Sequence, residues 1–188
     1  MAVKTFTAGS VLTASDTNTY LNNGGLVYVT SLSWSSVSAD QQINACFTST
    51  YDGYMVVMTT TQLSANPSIY FQLCKSGTPT AANYYWGSSY VNNGGTTGTA
   101  SGSPGTSVIT GYGASAYPSG SLILYLFGPQ ATRNTVYNFT DNRNDTTAQQ
   151  IRTGGGNHSD ATTHDGILVG RGSGSWSGKL TVYGIRTS

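Results

Sequence analysis

From Leu26 onward the chain is a succession of short apolar or alternating runs, each cut off by Gly, Pro, Asn or Ser. Few architectures accept that pattern. A helix needs apolar positions that recur at i, i+3, i+4 and i+7, whereas runs of roughly four to eight residues with every second side chain apolar suit half-buried strands. Many such runs in series are the mark of a sandwich or barrel. The runs predict strands at Leu26–Leu32, Ile43–Thr48, Tyr54–Thr60, Ile69–Lys75, Asn83–Val91 and Ser107–Tyr112. Further strands are predicted at Leu122–Phe127, Val136–Phe139, Gln149–Arg152, Ile167–Val169 and Lys179–Arg186.

Two of these runs say more than the rest. Between Leu122 and Phe127 both alternating sets are apolar, so the strand is expected either centrally or with one face against another subunit. In the last run Trp176, Leu180 and Val182 alternate with Ser177, Lys179, Thr181 and Tyr183, which is the pattern of a strand with one face in the core. The segment from Asn92 to Gly105 has no periodicity and reads as a long exposed loop. The expected fold is all-β, a jelly-roll-like antiparallel β-sandwich over residues 26–188. Residues 1–25 read differently. Thr13 to Asp16 can cap one short helix reaching Tyr20 and Leu21, and Gly24 and Gly25 stop it.

Composition supports strands over helices. Only 8% of residues are charged, against roughly a quarter in ordinary globular proteins, and all seven acids are Asp. The wet faces of long helices normally carry Glu, Lys and Ala, whereas Thr, Ser, Gly, Tyr and Val suit strands and turns. A formal net charge of +1 provides no field to steer the chain onto nucleic acid. No stretch has the 18 or so apolar residues of a membrane span, and Met1 to Ser10 lacks a signal peptide's basic and apolar blocks. Neither nucleic acid nor membrane insertion is expected, and production without secretion is. A surface so poor in charge must stay soluble through hydroxyls and amides or be covered by other subunits, and cover is the favoured reading.

Candidate chemistry is sparse. His158, Asp160, His164 and Asp165 can offer nitrogen and oxygen ligands to a divalent metal, yet their spacing matches no known zinc or calcium pattern, and solvated loop residues explain them as well. No metal or other cofactor is assigned. Asp141 and Asp145 sit in a stretch that resembles a hairpin turn, where Asn and Asp bond the local backbone. No GxSxG, phosphate-binding loop or nucleophile paired with a base is present, so no catalytic residue is assigned and an enzyme is not expected. Cys46 and Cys74 lack zinc spacing; they read as free thiols, with pairing left open. The sequons at Asn138, Asn144 and Asn157 are accidents of a Thr- and Ser-rich chain.

Aromatic residues offer the remaining candidates. Tyr84, Tyr85, Trp86 and Tyr90 can stack on sugar rings, but Tyr and Trp also dominate cores and interfaces. Alternation places Tyr84, Trp86 and Tyr90 on one face and Tyr85 on the other, so one set is expected in the core.

Two segments carry a resemblance. The opening from Thr5 to Asn22 resembles the N-terminus of many minor tail and fibre-like structural proteins of tailed bacteriophages. The body is similar to a β-rich domain of phage structural proteins through Cys46 to Tyr54, then Asp165 to Val169, then Ser177 to Ser188. His164 departs from that pattern, which has an aromatic residue there, and the middle of the chain matches no pattern. The resemblance implies a non-enzymatic virion component made in the bacterial cytoplasm: a tail fibre, tail tip or head decoration. It implies residues 1–25 as the attachment segment to other virion proteins and a homo-oligomer, a trimer, burying Ile123, Tyr125 and Phe127 between copies. It also implies loops presented to a host cell-surface glycan, the loop at 92–105 lying distal. The alternatives are a lectin-like carbohydrate-binding module and, less favoured, a glycan hydrolase.

Overall fold

A computed structural model describes residues 9, 11, 13, 25–64, 68–112, 119–144 and 149–186. The expected helix after Thr13, most of the attachment segment and Asp145 lie outside the described residues.

Every element among the described residues is a strand, and every pairing is antiparallel. In chain order these are β1 (Leu26–Val37), β2 (Gln41–Ile43), β3 (Gly53–Leu63), β4 (Ser68–Lys75), β5 (Thr78–Pro79), β6 (Tyr84–Asn92) and β7 (Thr97–Gly105). They continue with β8 (Val108–Tyr112), β9 (Ser119–Phe127), β10 (Thr135–Asn144), β11 (Gln150–His158), β12 (Gly166–Arg171) and β13 (Trp176–Ile185). One sheet runs β1-β13-β3-β9-β10-β11-β6-β7; the other runs β2-β12-β4-β5, with β8 also on β4. The all-β antiparallel sandwich is thus present. Eight strands gather in one sheet and five in the other.

The inner face of the large sheet is built in rows that cross it strand by strand. One row is Val182, Val56, Leu124 and Phe139; the next is Tyr54, Leu126 and Tyr137. A third begins Leu180, Met58, Leu122 and then turns polar, with Asp141 and Arg152. The small sheet packs onto these rows through Ile69, Phe71, Leu73, Ile167 and Val169, all in the same buried core cluster. Phe71 meets the Tyr137 ring edge-on with centroids 5.2 Å apart. Trp34 and Trp176 meet at 4.6 Å, and the Trp176 indole donates to the Ala39 carbonyl at 3.0 Å.

Two expectations need correction. The segment 92–105 is not one long loop: a short turn after β6 leads into strand β7, whose register on β6 pairs Tyr90 with Gly98 and Trp86 with Gly102. A Cβ at Gly98 would collide with the Tyr90 ring, and one at Gly102 with the Trp86 indole. Aromatic rings of β6 occupy the inner positions of β7, so the strand needs no apolar residues of its own. The stretch around Asp141 is not a turn either. It lies in β10, and Asp141 and Arg143 both point inward.

Candidate functional site

The outer face of the large sheet is where the predicted interface residues fall. Ile123, Tyr125 and Phe127 alternate with the buried Leu122, Leu124 and Leu126, so they leave the core together. Register sets their neighbours. Tyr125 lies between Met55 and Asn138, Ile123 between Val57 and Thr140, and Phe127 between Gly53 and Val136. Farther along the sheet Tyr183 is paired with Met55 on one side and Tyr28 on the other, and Leu26 pairs with Ile185.

These residues form a continuous apolar band from β1 to β10. Tyr28 is 60% exposed, Val136 52%, Phe127 42% and Ile123 41%. Leaving one such half-exposed side chain in water forgoes roughly half of the 1.5–3 kcal/mol of a full burial. Lys179 is the single charge carried by β1, β3, β9 and β13. On β10 itself the face turns polar at Asn138, Thr140 and Asn142, and beyond it Thr153 is joined by the exposed Ile151, Val91 and Tyr85. Sequence reading found the β9 members of the band, because that run is apolar on both faces. It missed Leu26, Tyr28, Met55, Val57, Val136, Tyr183 and Ile185, because each lies in a strand where an ordinary core face accounts for the pattern.

The four aromatics of β6 divide as alternation requires. Tyr84 and Trp86 are buried and cannot receive a sugar from solvent, which removes them as a glycan platform. The Tyr84 hydroxyl accepts the Leu73 N–H at 2.6 Å, and burial pushes its pKa up to about 12. Tyr90 is half-buried over Gly98, with the Arg152 guanidinium 5.1 Å from its ring centre. Tyr85 alone of the four is exposed, on the outer face.

Of the polar candidates His158, His164 and Asp141 lie inside, while Asp160 and Asp165 are half-buried. His158 and His164 are both buried, their rings edge to face at 4.8 Å, and Tyr84 closes on His158 at 4.6 Å. Burial lowers the His164 pKa to about 4, with the facing His158 adding to the effect, and burial lowers that of His158 as well. Among the described residues no three His, Cys, Asp or Glu side chains converge as metal ligands. The pair is a packed feature of the core. Asp141 binds Arg143 through both oxygens, at 2.6 and 3.0 Å. Arg143 lies over Gly111 of β8, where a Cβ would collide with the guanidinium.

Cys46 and Cys74 are free and buried. Phe47 N–H donates to the Asp165 carbonyl at 3.0 Å and Asp165 N–H to the Cys74 carbonyl at 2.9 Å, so the cysteines flank one segment from opposite sides. Burial raises both thiols to about 12, so neither is a ready nucleophile.

Compared with family models, with curated proteins and with solved structures, the chain matches none. The functional reading therefore rests on the face and on the residues themselves.

Proposed function

We propose that this protein is a non-enzymatic structural component of a tailed-phage particle, assembled as a trimer through the outer face of its large sheet. The observation that carries the reading is the uncharged apolar band centred on Ile123, Tyr125 and Phe127. Soluble monomers rarely leave contiguous apolar patches larger than a few hundred Å² in water. A band with no charges at its centre packs against other copies without like-charge repulsion, and around a threefold axis one part of it on each copy meets a different part on the next. The low overall charge fits the same picture, since a covered face needs no solvating groups.

Residues 1–25 supply the tether to the particle in this reading, by their resemblance to the N-termini of minor tail and fibre-like proteins. Host adhesion falls to loops at the sandwich ends, where repetition on a trimer turns weak contacts into strong ones.

Two measurements test the proposal. Mass spectrometry of purified particles should detect the polypeptide, and light scattering should give three times the monomer mass. Ile123→Asp together with Phe127→Asp should yield a folded monomer. A wild-type protein that stays monomeric at high concentration would remove the assembly claim, and its absence from particles would remove the virion claim.

A further inference from the structure

At one end of the sandwich, where β9 ends and β3 begins, the loop before β3 faces the loop after β9 across a depression of about 190 Å³. Tyr51, Asp52, Gln130 and Arg133 line it, with Ser49 at the side. None of these residues belongs to the apolar band.

The walls are braced by backbone bonds. Gly128 N–H donates to the Asp52 carbonyl at 3.2 Å, Asp52 N–H to the Ile185 carbonyl at 3.2 Å, and Ala131 N–H to the Gly128 carbonyl at 3.1 Å. Gly128 holds φ at +70°, and a Cβ there would sit 3.1 Å from Arg133 Nε, so the guanidinium lies against the turn. The Tyr51 ring is fixed as well. It covers Gly184 so closely that a Cβ would collide with it, Tyr54 meets it edge-on at 5.7 Å, and the Arg186 guanidinium stands 5.6 Å from its centre.

The hydrogen-bonding character of the depression follows from these contacts. The Gln130 amide nitrogen donates to the Phe47 carbonyl at 2.9 Å and to the His164 carbonyl at 2.7 Å. Both of its hydrogens are engaged, so toward a ligand the side chain offers its oxygen, an acceptor. The Asp52 carboxylate accepts and the Arg133 guanidinium donates, so the lining offers both kinds of partner. An anion would meet two acceptors and a cation would meet a guanidinium. Hydroxyl groups both donate and accept, and adjacent hydroxyls match the forked geometry of carboxylate and guanidinium. Tyr51, whose ring is held by Gly184, Tyr54 and Arg186, adds a hydroxyl that can both donate and accept. The volume is below the roughly 300–1,000 Å³ of sites for drug-sized ligands, which limits the occupant to one ring.

We infer that the depression between Tyr51, Asp52, Gln130 and Arg133 binds a single neutral pyranose unit, such as the terminal residue of a surface glycan. The inference deepens the adhesion part of the proposed function and rests on that reading only for where such a sugar is met.

The test is an NMR titration of the full-length protein with glucose, galactose, mannose and N-acetylglucosamine, following backbone amides. At least one sugar should shift the amides of residues 49–52 and 128–133 saturably, with a Kd in the roughly millimolar range. Asp52→Asn and Arg133→Gln should each weaken that binding about tenfold or more with the thermal midpoint unchanged, and Tyr85→Ala should leave it intact. Silence from all four sugars, or shifts that persist undiminished in both variants, overturns the inference. Incorporation into particles is measured separately. A protein present in particles but silent to sugar overturns this inference alone, and one that binds sugar but is absent from particles overturns the virion reading alone.

Discussion

The Tyr54 hydroxyl binds both backbone groups of Thr48, donating to its carbonyl at 2.7 Å and accepting its N–H at 2.6 Å. The Tyr54 ring packs against Phe47 at 4.7 Å. One buried side chain thus holds the loop that enters β3 and, through Phe47 and Asp165, ties it to the small sheet.

Replacing Tyr54 with Phe keeps the ring and removes the hydroxyl, which leaves two backbone groups of Thr48 short of a partner. The expected loss is about 1–3 kcal/mol of unfolding free energy. Urea denaturation measures it, and a loss under about 0.5 kcal/mol would mean that water replaces the hydroxyl.

Trp86 and Tyr85 are sequence neighbours on opposite faces, so truncation should separate them sharply. Trp86→Ala removes the ring that covers Gly102 and should cost about 3–5 kcal/mol. Tyr85→Ala changes an exposed position and should stay within about 0.5 kcal/mol of the parent. Equal thermal shifts for the two variants would contradict the burial assigned to β6.

Acid should weaken the fold through His158 and His164. Each imidazole has a folded pKa below its ordinary 6.5, so the unfolded chain takes up protons first as the pH falls. Stability is full above about pH 6.5 and declines as the pH falls through the lowered folded values, about 4 for His164, by up to roughly 1.4 kcal/mol per pH unit for each histidine. Asp160 and Asp165 oppose the His164 shift and Lys75 adds to it. The double variant His158→Gln, His164→Gln should flatten the decline between pH 6.5 and 5. An unaltered slope in that variant would assign the acid sensitivity elsewhere.

Asp141→Leu should be more damaging than the loss of an ordinary surface acid. It leaves the buried Arg143 guanidinium without the carboxylate that now binds it twice. Breaking a buried pair from one side costs about 3–5 kcal/mol, whereas Asp40→Ala, at an exposed site, tests the milder case. Calorimetry that ranks the two variants equally would refute the buried assignment.

Much of the strand plan was legible because alternation is a local property. The runs at Ser68–Lys75 and Tyr84–Asn92 show their faces directly. Strand β7 was not legible, because its inner positions Gly98 and Gly102 are filled by rings from the neighbouring strand. Asp141 carries a turn signal, because Asn- and Asp-rich stretches usually make turns, and only pairing with β11 continues this one as a strand. Gln130 and Arg133 carried no signal at all, since a loop residue acquires a role from what folds opposite it.

By itself the amino-acid order determined that this protein is made of short strands in two layers, because the period of apolar side chains depends on the backbone alone. Which apolar set faces inward was decided by tertiary structure. Leu124 and Ile123 look alike in the chain, and only the small sheet, by covering one side, makes the first core and the second a surface. The same holds for the depression beside Tyr51, whose donors and acceptors come from segments about eighty residues apart and meet only when the sandwich closes.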